Sequence, residues 1–303
     1  MTGQVVSEFL SAMEAAGVRP VEPIAQALQG ESLIRFRCEG DKPGRRNGWA
    51  LLHLDGRPAG AFGNYRLGAR QLWKSGSAPD LSPSELRAQR EEWRRKAEER
   101  DRAKVEAEEG AAREAEAMWT AAGEASPSHP YLVRKALDAE GLRQAGDTLL
   151  APMLDIRGRL WNLQRIRPDG VKLFLKDART KGLFCLIGGG GSRCCLGEGV
   201  GTMKAVRMAT GFPVAAAFSG ENLEPVARSM RRRWPGLGLI ICGDNDAHLV
   251  ERPNIGRNLG LEYAAAAAAA VRGLVAKPPP GDFADLAQAA GLDAVRVAIE
   301  EAV

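Results

Sequence analysis

The sequence predicts an α/β protein whose centre is a parallel sheet with helices on both faces. Antiparallel hairpins, a long charged helix and a small antiparallel module precede it. Three observations carry this reading. From Arg193 onward short apolar runs alternate with helical stretches: Arg193-Cys-Cys-Leu196 before Thr202 to Ala209, Pro213 to Phe218 before Asn222 to Trp234, Leu237 to Cys242 before Asn254 to Val271, and Gly273 to Lys277 before Phe283 to Gln288. That rhythm belongs to parallel strands joined by crossover helices. Between Leu33 and Trp73, and again between Leu149 and Lys176, apolar and polar residues alternate with period two around turn residues, as in antiparallel hairpins. Between Leu81 and Trp119 the chain is mostly Glu, Arg, Lys and Ala, with Leu86, Trp93, Val105 and Met118 as its main apolar residues. These are too few for a coiled-coil seam and suit a solvated helix held by charge pairs four residues apart.

A chain of 303 residues, 45% hydrophobic, can bury at least one good core and divide into two folded units with a connector. The expected organisation is an N-terminal module over 1–80, a helical linker over 81–122, a basic hairpin subdomain over 123–190 and the parallel-sheet domain over 191–303. No apolar run is long enough to span a membrane, and Met1 to Gly30 lacks the basic start and apolar centre of a signal peptide. The expectation is therefore a cytoplasmic protein with no membrane partner. Five cysteines lie in or beside apolar runs, which reads as reduced, packed thiols. Cys38 and His53 are too few ligands for a structural zinc in the first module, and no other cysteine has metal spacing, so zinc is not expected.

In chain order, Met1 to Gly30 has helical spacing broken at Gly17-Val-Arg-Pro20, and three strands follow: Leu33 to Arg37, Trp49 to Leu54 and Ala59 to Tyr65. The turns between them are Glu39 to Gly48 and Asp55-Gly56. From Arg35 to Lys74 nine Lys/Arg stand against three acids. Arg35, Arg37, Arg45, Arg46, Arg57, Arg66 and Lys74 interleave with Phe36, Trp49, Phe62, Tyr65 and Trp73, a pattern that serves either as a grip for single-stranded nucleic acid or as the core of a small sheet. Ser82 and Pro83 are a plausible cap and first position for the charged helix, which would reach roughly 50 Å at about 1.5 Å per residue. Ala122 to Pro130 ends it, Tyr131 to Leu137 reads as a short helix, and the hairpins beyond carry Arg165, Lys172, Lys176 and Lys181.

Two acidic pieces follow buried strands. Glu198 comes directly after Leu196-Gly197, and Asp244-Asn-Asp246 after Ile240-Ile-Cys-Gly243. In parallel sheets chemistry sits at the carboxyl ends of strands, and three carboxylates delivered there could share a hard divalent cation. The bland alternatives are a helix-capping acid and a surface turn. His248 reads as a loop residue, His129 as linker, and Ser219 as a cap or a phosphate contact. No Gly-x-x-x-x-Gly-Lys-Ser/Thr loop is present, which excludes a fused ATPase within this sequence.

The succession strand, Glu, helix, strand, helix, strand, Asp-x-Asp, helix resembles the Toprim domain of bacterial-type primases, topoisomerases and certain nucleases, over roughly Arg193 to Gly291. That resemblance implies Mg²⁺ or Mn²⁺ at Asp244 and Asp246, with Glu198 as a ligand or general acid/base. Asp282-Phe-Ala-Asp285 looks like the acidic element after the last strand in phage and plasmid primases, with a helix cap as the alternative. The hairpins look like the basic subdomain in front of the Toprim domain of bacterial replicative primases, where Arg165, Lys172 and Lys181 match residues that hold template and nucleotide, with Lys176 beside them. The first module is similar in style to those heading plasmid and phage primases. The resemblance implies a DNA primase joining NTPs on a single-stranded DNA template, with a replicative helicase as a further partner. The acids alone leave open a Toprim nuclease and a non-catalytic replication accessory.

Overall fold

The computed structural model describes residues 2–30, 32–54, 57–76, 83–251 and 256–302, with 83, 85, 86 and 89 by backbone alone. The expected Asp55-Gly56 turn, the Ser82 cap and the Asn254 start of a helix lie outside these residues. The chain forms two compact units that divide between Asp101 and Arg102.

The first unit contains helices α1 (Thr2–Ala15) and α2 (Ala25–Leu28) and strands β1 (Ile34–Phe36), β2 (Gly48–His53), β3 (Ala59–Asn64) and β4 (Ala69–Lys74). The strands pair antiparallel in chain order. Val6, Phe9 and Met13 recur at helical spacing and are buried on Phe36, Ala50, Leu52 and Phe62. Each large side chain removed from water this way contributes about 1.5–3 kcal/mol. Phe9 meets the rings of Phe62 and Trp73 edge-on at 5.4 and 5.2 Å. A Cβ on Gly60 would lie 2.7 Å from the Phe9 ring, so glycine there lets the helix settle on the sheet. The division between the units falls within α3 (Pro83–Ala121), which is helical throughout the charged stretch.

The second unit begins with an antiparallel sheet in chain order of β5 (Gly123–Glu124), β6 (Arg143–Ala145), β7 (Thr148–Leu154), β8 (Leu160–Ile166) and β9 (Lys172–Phe174). On one face Leu150 and Leu163 pack with Ala115 and Met118 of α3; on the other Leu149, Ala151 and Ile166 join the larger core. The short helix α4 (Pro130–Lys135) starts at His129, which is buried. His129 Nδ1 accepts the Tyr131 amide at 3.2 Å, leaving Nε2 to donate to the Asp147 carbonyl at 2.9 Å. This corrects its reading as a linker residue: the ring is a cap tying two loops together.

The remaining elements are β10 (Cys185–Ile187), β11 (Arg193–Gly197), α5 (Val200–Thr210), β12 (Val214–Ala216), α6 (Leu223–Arg233), β13 (Gly238–Cys242), α7 (Ala247–Val250), α8 (Leu259–Val271), β14 (Leu274–Ala276) and α9 (Phe283–Glu300). The sheet order is β10-β12-β11-β13-β14, parallel except for β10, which lies antiparallel on the edge. The predicted α/β class, a parallel sheet with flanking helices, is what the chain adopts.

Strand alternation distributes the core. Cys195 and Ile240 face Met203 and Val206 of α5 and Phe283 and Val295 of α9, whereas Cys194, Leu196 and Ile241 face Val226 and Met230 of α6 and Ala264, Ala267 and Ala268 of α8. Three of the seven consecutive alanines thus pack on the sheet, a role beyond helix propensity. Helix α9 outlasts the expected Phe283 to Gln288, because Gly291 at φ 84° bends the chain into a second helical stretch.

Candidate active site

Strands β11 and β13 are parallel and register Gly197 against Cys242, so Glu198 and Asp244 leave the same end of adjacent strands. A Cβ on Gly197 would lie 2.3 Å from Met203 Sδ and 3.2 Å from the Cys242 carbonyl, which is why the residue before the acid is glycine. The Glu198 carbonyl accepts the Phe218 amide at 2.7 Å, and its carboxylate accepts the Gly220 amide. Burial, followed by the charge of Asp246, pushes the Glu198 carboxyl above the usual range. Asp244 goes further. Its Oδ1 is buried and has no hydrogen-bond partner among the described residues, and burial together with the charges of Glu198, Asp282, Asp246 and Asp285 pushes its carboxyl up to about 7.

The turn bearing Asp244 and Asp246 is clamped from behind. Asn245 pairs its backbone with Gly281 at 2.9 and 3.0 Å and donates its side-chain amide to the Pro278 carbonyl at 3.0 Å. Asn258, the cap of α8, accepts the Asp246 amide at 3.1 Å and donates to Asn245 Oδ1 at 2.8 Å. A Cβ at Gly260 would lie 2.3 Å from the Asp244 carbonyl oxygen. Asn245, Asn258 and Gly260 had no assigned role from sequence; the expected helix start at Asn254 put Asn258 inside the helix, whereas it is the cap of α8.

Asp282 and Asp285 do structural work. Asp282 caps α9, accepting the amides of Ala284 and Asp285 at 2.7 and 2.8 Å, and Asp285 returns the bond to the Asp282 amide. Asp285 also pairs with Lys135 at 3.4 Å. Both still contribute negative charge at Asp244.

Of the basic candidates, Lys172 joins the acids. Although β9 lies at the surface, the ammonium group folds toward the Tyr131 ring, 5.9 Å from its centroid, and crowding there lowers its pKa while Asp282, Glu198 and Asp244 favour the charged form. Arg165 does not join it. Register aligns Arg165 with Leu173 and Leu150, on the α3 side of the sheet, whereas Lys172 aligns with Ile166 on the other. Arg165 Nε is buried without a hydrogen-bond partner among the described residues, and its guanidinium reaches the Phe174 carbonyl at 3.4 Å. Lys176 points to Asp177 at 3.8 Å and is almost fully exposed.

Lys181 lines a hollow of about 280 Å³ with Phe174, Phe218 and Ser219. Its walls include two aromatic rings in edge-to-face contact at 6.0 Å, and Phe218 holds a φ of 69°, a conformation that costs a bulky residue energy and recurs at functional sites. The hollow adjoins Glu198 through the Phe218 amide bond and could not be read from sequence, because Phe174 lies on β9 of the antiparallel sheet and Phe218 follows β12 of the parallel one.

In the first unit, Arg35, Trp49, Gly63 and Arg70 align across one face of the sheet, the face opposite the Phe9 core. The Arg35 guanidinium lies 4.6 Å over Tyr65, which sits 6.3 Å from Trp49. Trp73 belongs to the other face, packed on Phe9, and Phe36 and Phe62 are core; for these three aromatics the plain-core alternative describes their packing. Arg37, Arg45 and Arg46 line a separate small hollow with Val21.

The acidic centre suits a hard divalent cation, since its donors are all carboxylate oxygens, one of them buried and orphaned, and their mutual repulsion is what a cation relieves. Among the described residues, no three His, Cys, Asp or Glu side chains already close around a single point.

Residues 193–293 match the Toprim domain family. The resemblance to Toprim-domain primases read from the sequence is borne out by two relatives. DNA primase TraC of Escherichia coli is 34% identical over 283 residues, covering 88% of this chain and 19% of that protein. A second TraC sequence is 31% identical over 273 residues, covering 86% and 25%. The chain thus spans a quarter or less of the length of these relatives. The primase fragment of the bacteriophage T7 primase-helicase protein is a more distant likeness, 15% identical with a TM-score of 0.42, covering 56% of this chain and 72% of that one. No helix among the described residues is long and apolar enough to cross a membrane.

Proposed function

We propose that the chain carries the catalytic centre of a DNA primase, joining nucleoside triphosphates into a short primer on a single-stranded DNA template. The observation that carries the reading is the meeting of Glu198 with Asp244 at adjacent strand ends, where burial and neighbouring carboxylates push Asp244 up to about 7. Asp244, Asp246 and Glu198 would hold Mg²⁺ or Mn²⁺. Bound there, the ions supply Lewis-acid stabilisation of the attacking and leaving oxygens. Glu198, where it does not bind metal, is suited by its place at the strand end, and by burial that raises its carboxyl, to take the proton of the attacking 3′-hydroxyl. Lys172 offsets phosphate charge beside the acids, while Lys181 and the Phe174–Phe218 hollow form the wall against which a nucleotide rests. Arg165 and Lys176 lie further out and serve template rather than the reacting phosphate.

In the first unit, Arg35, Trp49, Tyr65 and Arg70 are suited to hold template strand, guanidinium groups taking phosphates and rings taking bases. Arg37, Arg45 and Arg46 add charge nearby. Trp73 stiffens the module from its core side. The natural setting is replication of a plasmid, phage or other mobile element in the cytoplasm, with a replicative helicase as partner and no zinc.

The test is incubation of the chain with labelled NTPs, single-stranded DNA and Mg²⁺ or Mn²⁺. Short labelled products are expected, reduced at least about a hundredfold by Asp244→Asn and Glu198→Gln, in line with the loss of one charge-stabilising group. Cleavage of the DNA without NTP incorporation would make the centre a nuclease. Activity unchanged in Glu198→Gln would make the carboxylate dispensable.

A further inference from the structure

Asn222 stands immediately ahead of α6, where an asparagine ordinarily bonds the first free amides of the helix. It does not cap: its side chain makes no bond to α6. Left 7% exposed, it turns instead to the loop 179–183 that carries Lys181. Its Oδ1 accepts the Gly182 amide at 2.7 Å, and its Nδ2 donates to the carbonyls of Leu183 at 2.9 Å and Ala217 at 2.8 Å, with a longer approach to the Thr180 carbonyl at 3.4 Å. The backbone on both sides of Lys181 is thereby fixed to the end of β12.

The rest of the loop is pinned as well. Asn162 of β8 donates its side-chain amide to the Arg179 carbonyl at 3.0 Å, and the Arg179 guanidinium returns to the Lys181 carbonyl at 3.1 Å. The Lys181 side chain itself stays exposed, on the wall of the hollow with Phe174 and Phe218. The same corner of chain holds Glu198. The Asn222 backbone amide closes on the Ser219 carbonyl at 3.1 Å, and the Gly220 amide between them donates to the Glu198 carboxylate. The Tyr263 ring presses on Gly220, where a Cβ would lie 2.5 Å from its Cδ2. One short turn thus sets the places of Lys181 and Glu198 together, and the bonds Asn222 withholds from its own helix are the ones that hold the lysine loop.

We infer that Asn222 is a positioning residue: it fixes the Lys181 loop against Glu198 so that the ammonium group meets the phosphates of a nucleoside triphosphate lying in the hollow. The inference rests on the reading of this hollow as a nucleotide site. It is tested by binding without turnover, so its failure and the failure of primer synthesis are distinguishable.

The experiment is titration calorimetry of the full chain with Mg²⁺ and an α,β-methylene nucleoside triphosphate, which binds without reacting. It is run as a double-mutant cycle of wild type, Lys181→Ala, Asn222→Ala and the two together, with Arg296→Ala, a charge on α9 paired with Asp293, as the control. Lys181→Ala should weaken binding about tenfold, as expected for one lost bond to a charged group. Asn222→Ala should lose nearly as much, and the double variant no more than Lys181→Ala alone, since a residue that acts through the lysine has nothing left to hold. Arg296→Ala should bind as wild type. Thermal melts verify folding, and Asn222→Ser takes the place of the alanine in the cycle if that variant unfolds. Losses that multiply in the double variant overturn the inference, because Asn222 would then act on the fold and not through Lys181. Wild-type affinity in Asn222→Ala, or no analogue binding by the wild type, overturns it too. A cycle that closes as expected in a chain that makes no primer upholds the role of Asn222 and counts against the primase reading alone.

Discussion

Asn258 donates its side-chain amide to Asn245 Oδ1 at 2.8 Å while its own Oδ1 accepts the Asp246 backbone amide at 3.1 Å. One asparagine at the start of a helix thus holds both the middle and the end of the acidic turn. Asn258→Ala loses the cap and both bonds, and should cost about 1–2 kcal/mol, within the range of lost caps. Asn258→Asp restores the acceptor without the donor. Chemical denaturation of the two variants should rank alanine below aspartate, with primer synthesis reduced in both; equal stability of Asn258→Ala and wild type would contradict the clamp.

Gly260 works by being small. A methyl group on its Cα would lie 2.3 Å from the Asp244 carbonyl oxygen and 3.0 Å from Asp246 Oδ2, so Gly260→Ala must displace backbone under both aspartates. Overpacking of this kind costs about 1–3 kcal/mol. If the proposed centre holds the metal, primer synthesis as a function of Mg²⁺ concentration should show the variant needing more metal than wild type. An unshifted titration would mean the turn has slack.

Asp282 separates charge from capping. Asp282→Asn keeps a side-chain oxygen for the Ala284 and Asp285 amides, whereas Asp282→Ala does not. Stability should fall by about 1 kcal/mol in the alanine variant and little in the asparagine variant. A loss of metal-dependent activity in Asp282→Asn at full stability would show that its charge serves the site as well.

Asp244 makes a pH signature. Its folded-state carboxyl titrates near 7, above an unfolded value of about 3.9. The folded chain therefore keeps a proton that the unfolded chain releases, and this group's contribution to stability falls as pH rises from about 4 to about 7 before levelling off. In EDTA, Asp244→Asn should gain thermal stability relative to wild type across that window, and Mg²⁺ should narrow the gap at pH 8. A difference that does not vary with pH would mean that Asp244 ionises freely.

Lys204 on α5 is 1% exposed and bonds Asp138 at 2.5 Å and the Glu140 carbonyl at 2.7 Å. Asp138 retains solvent contact, so Lys204→Met should cost about 2–3 kcal/mol, less than the loss of one partner of a fully buried pair. Urea unfolding measures it, and a neutral result would make the lysine's burial incidental.

The alternation of apolar runs with helical stretches after Arg193 was enough to predict the parallel sheet, and Glu198 and Asp244-Asn-Asp246 enough to mark its acidic edge. The pattern is legible because strand and helix burial impose different periods on neighbouring residues. Strand β10 and the second half of α9 were not legible: a three-residue edge strand carries too little periodicity, and Gly291 reads as a stop although the chain bends there and continues.

What the sequence by itself determined was local: which residues are strand, which are helix, and which acids follow a strand end. Only the tertiary structure decided which side each basic residue takes. Arg165 and Lys172 look equivalent in the sequence, yet pairing of β8 with β9 sends them to opposite faces, because the face of a strand residue depends on register with its partner. Likewise Trp73 and Trp49 are both aromatic residues among arginines, and packing against Phe9 assigned one to the core and left the other on the open face. Contacts between residues far apart in the chain settle such choices, since burial is a property of the assembled layers and not of any single segment.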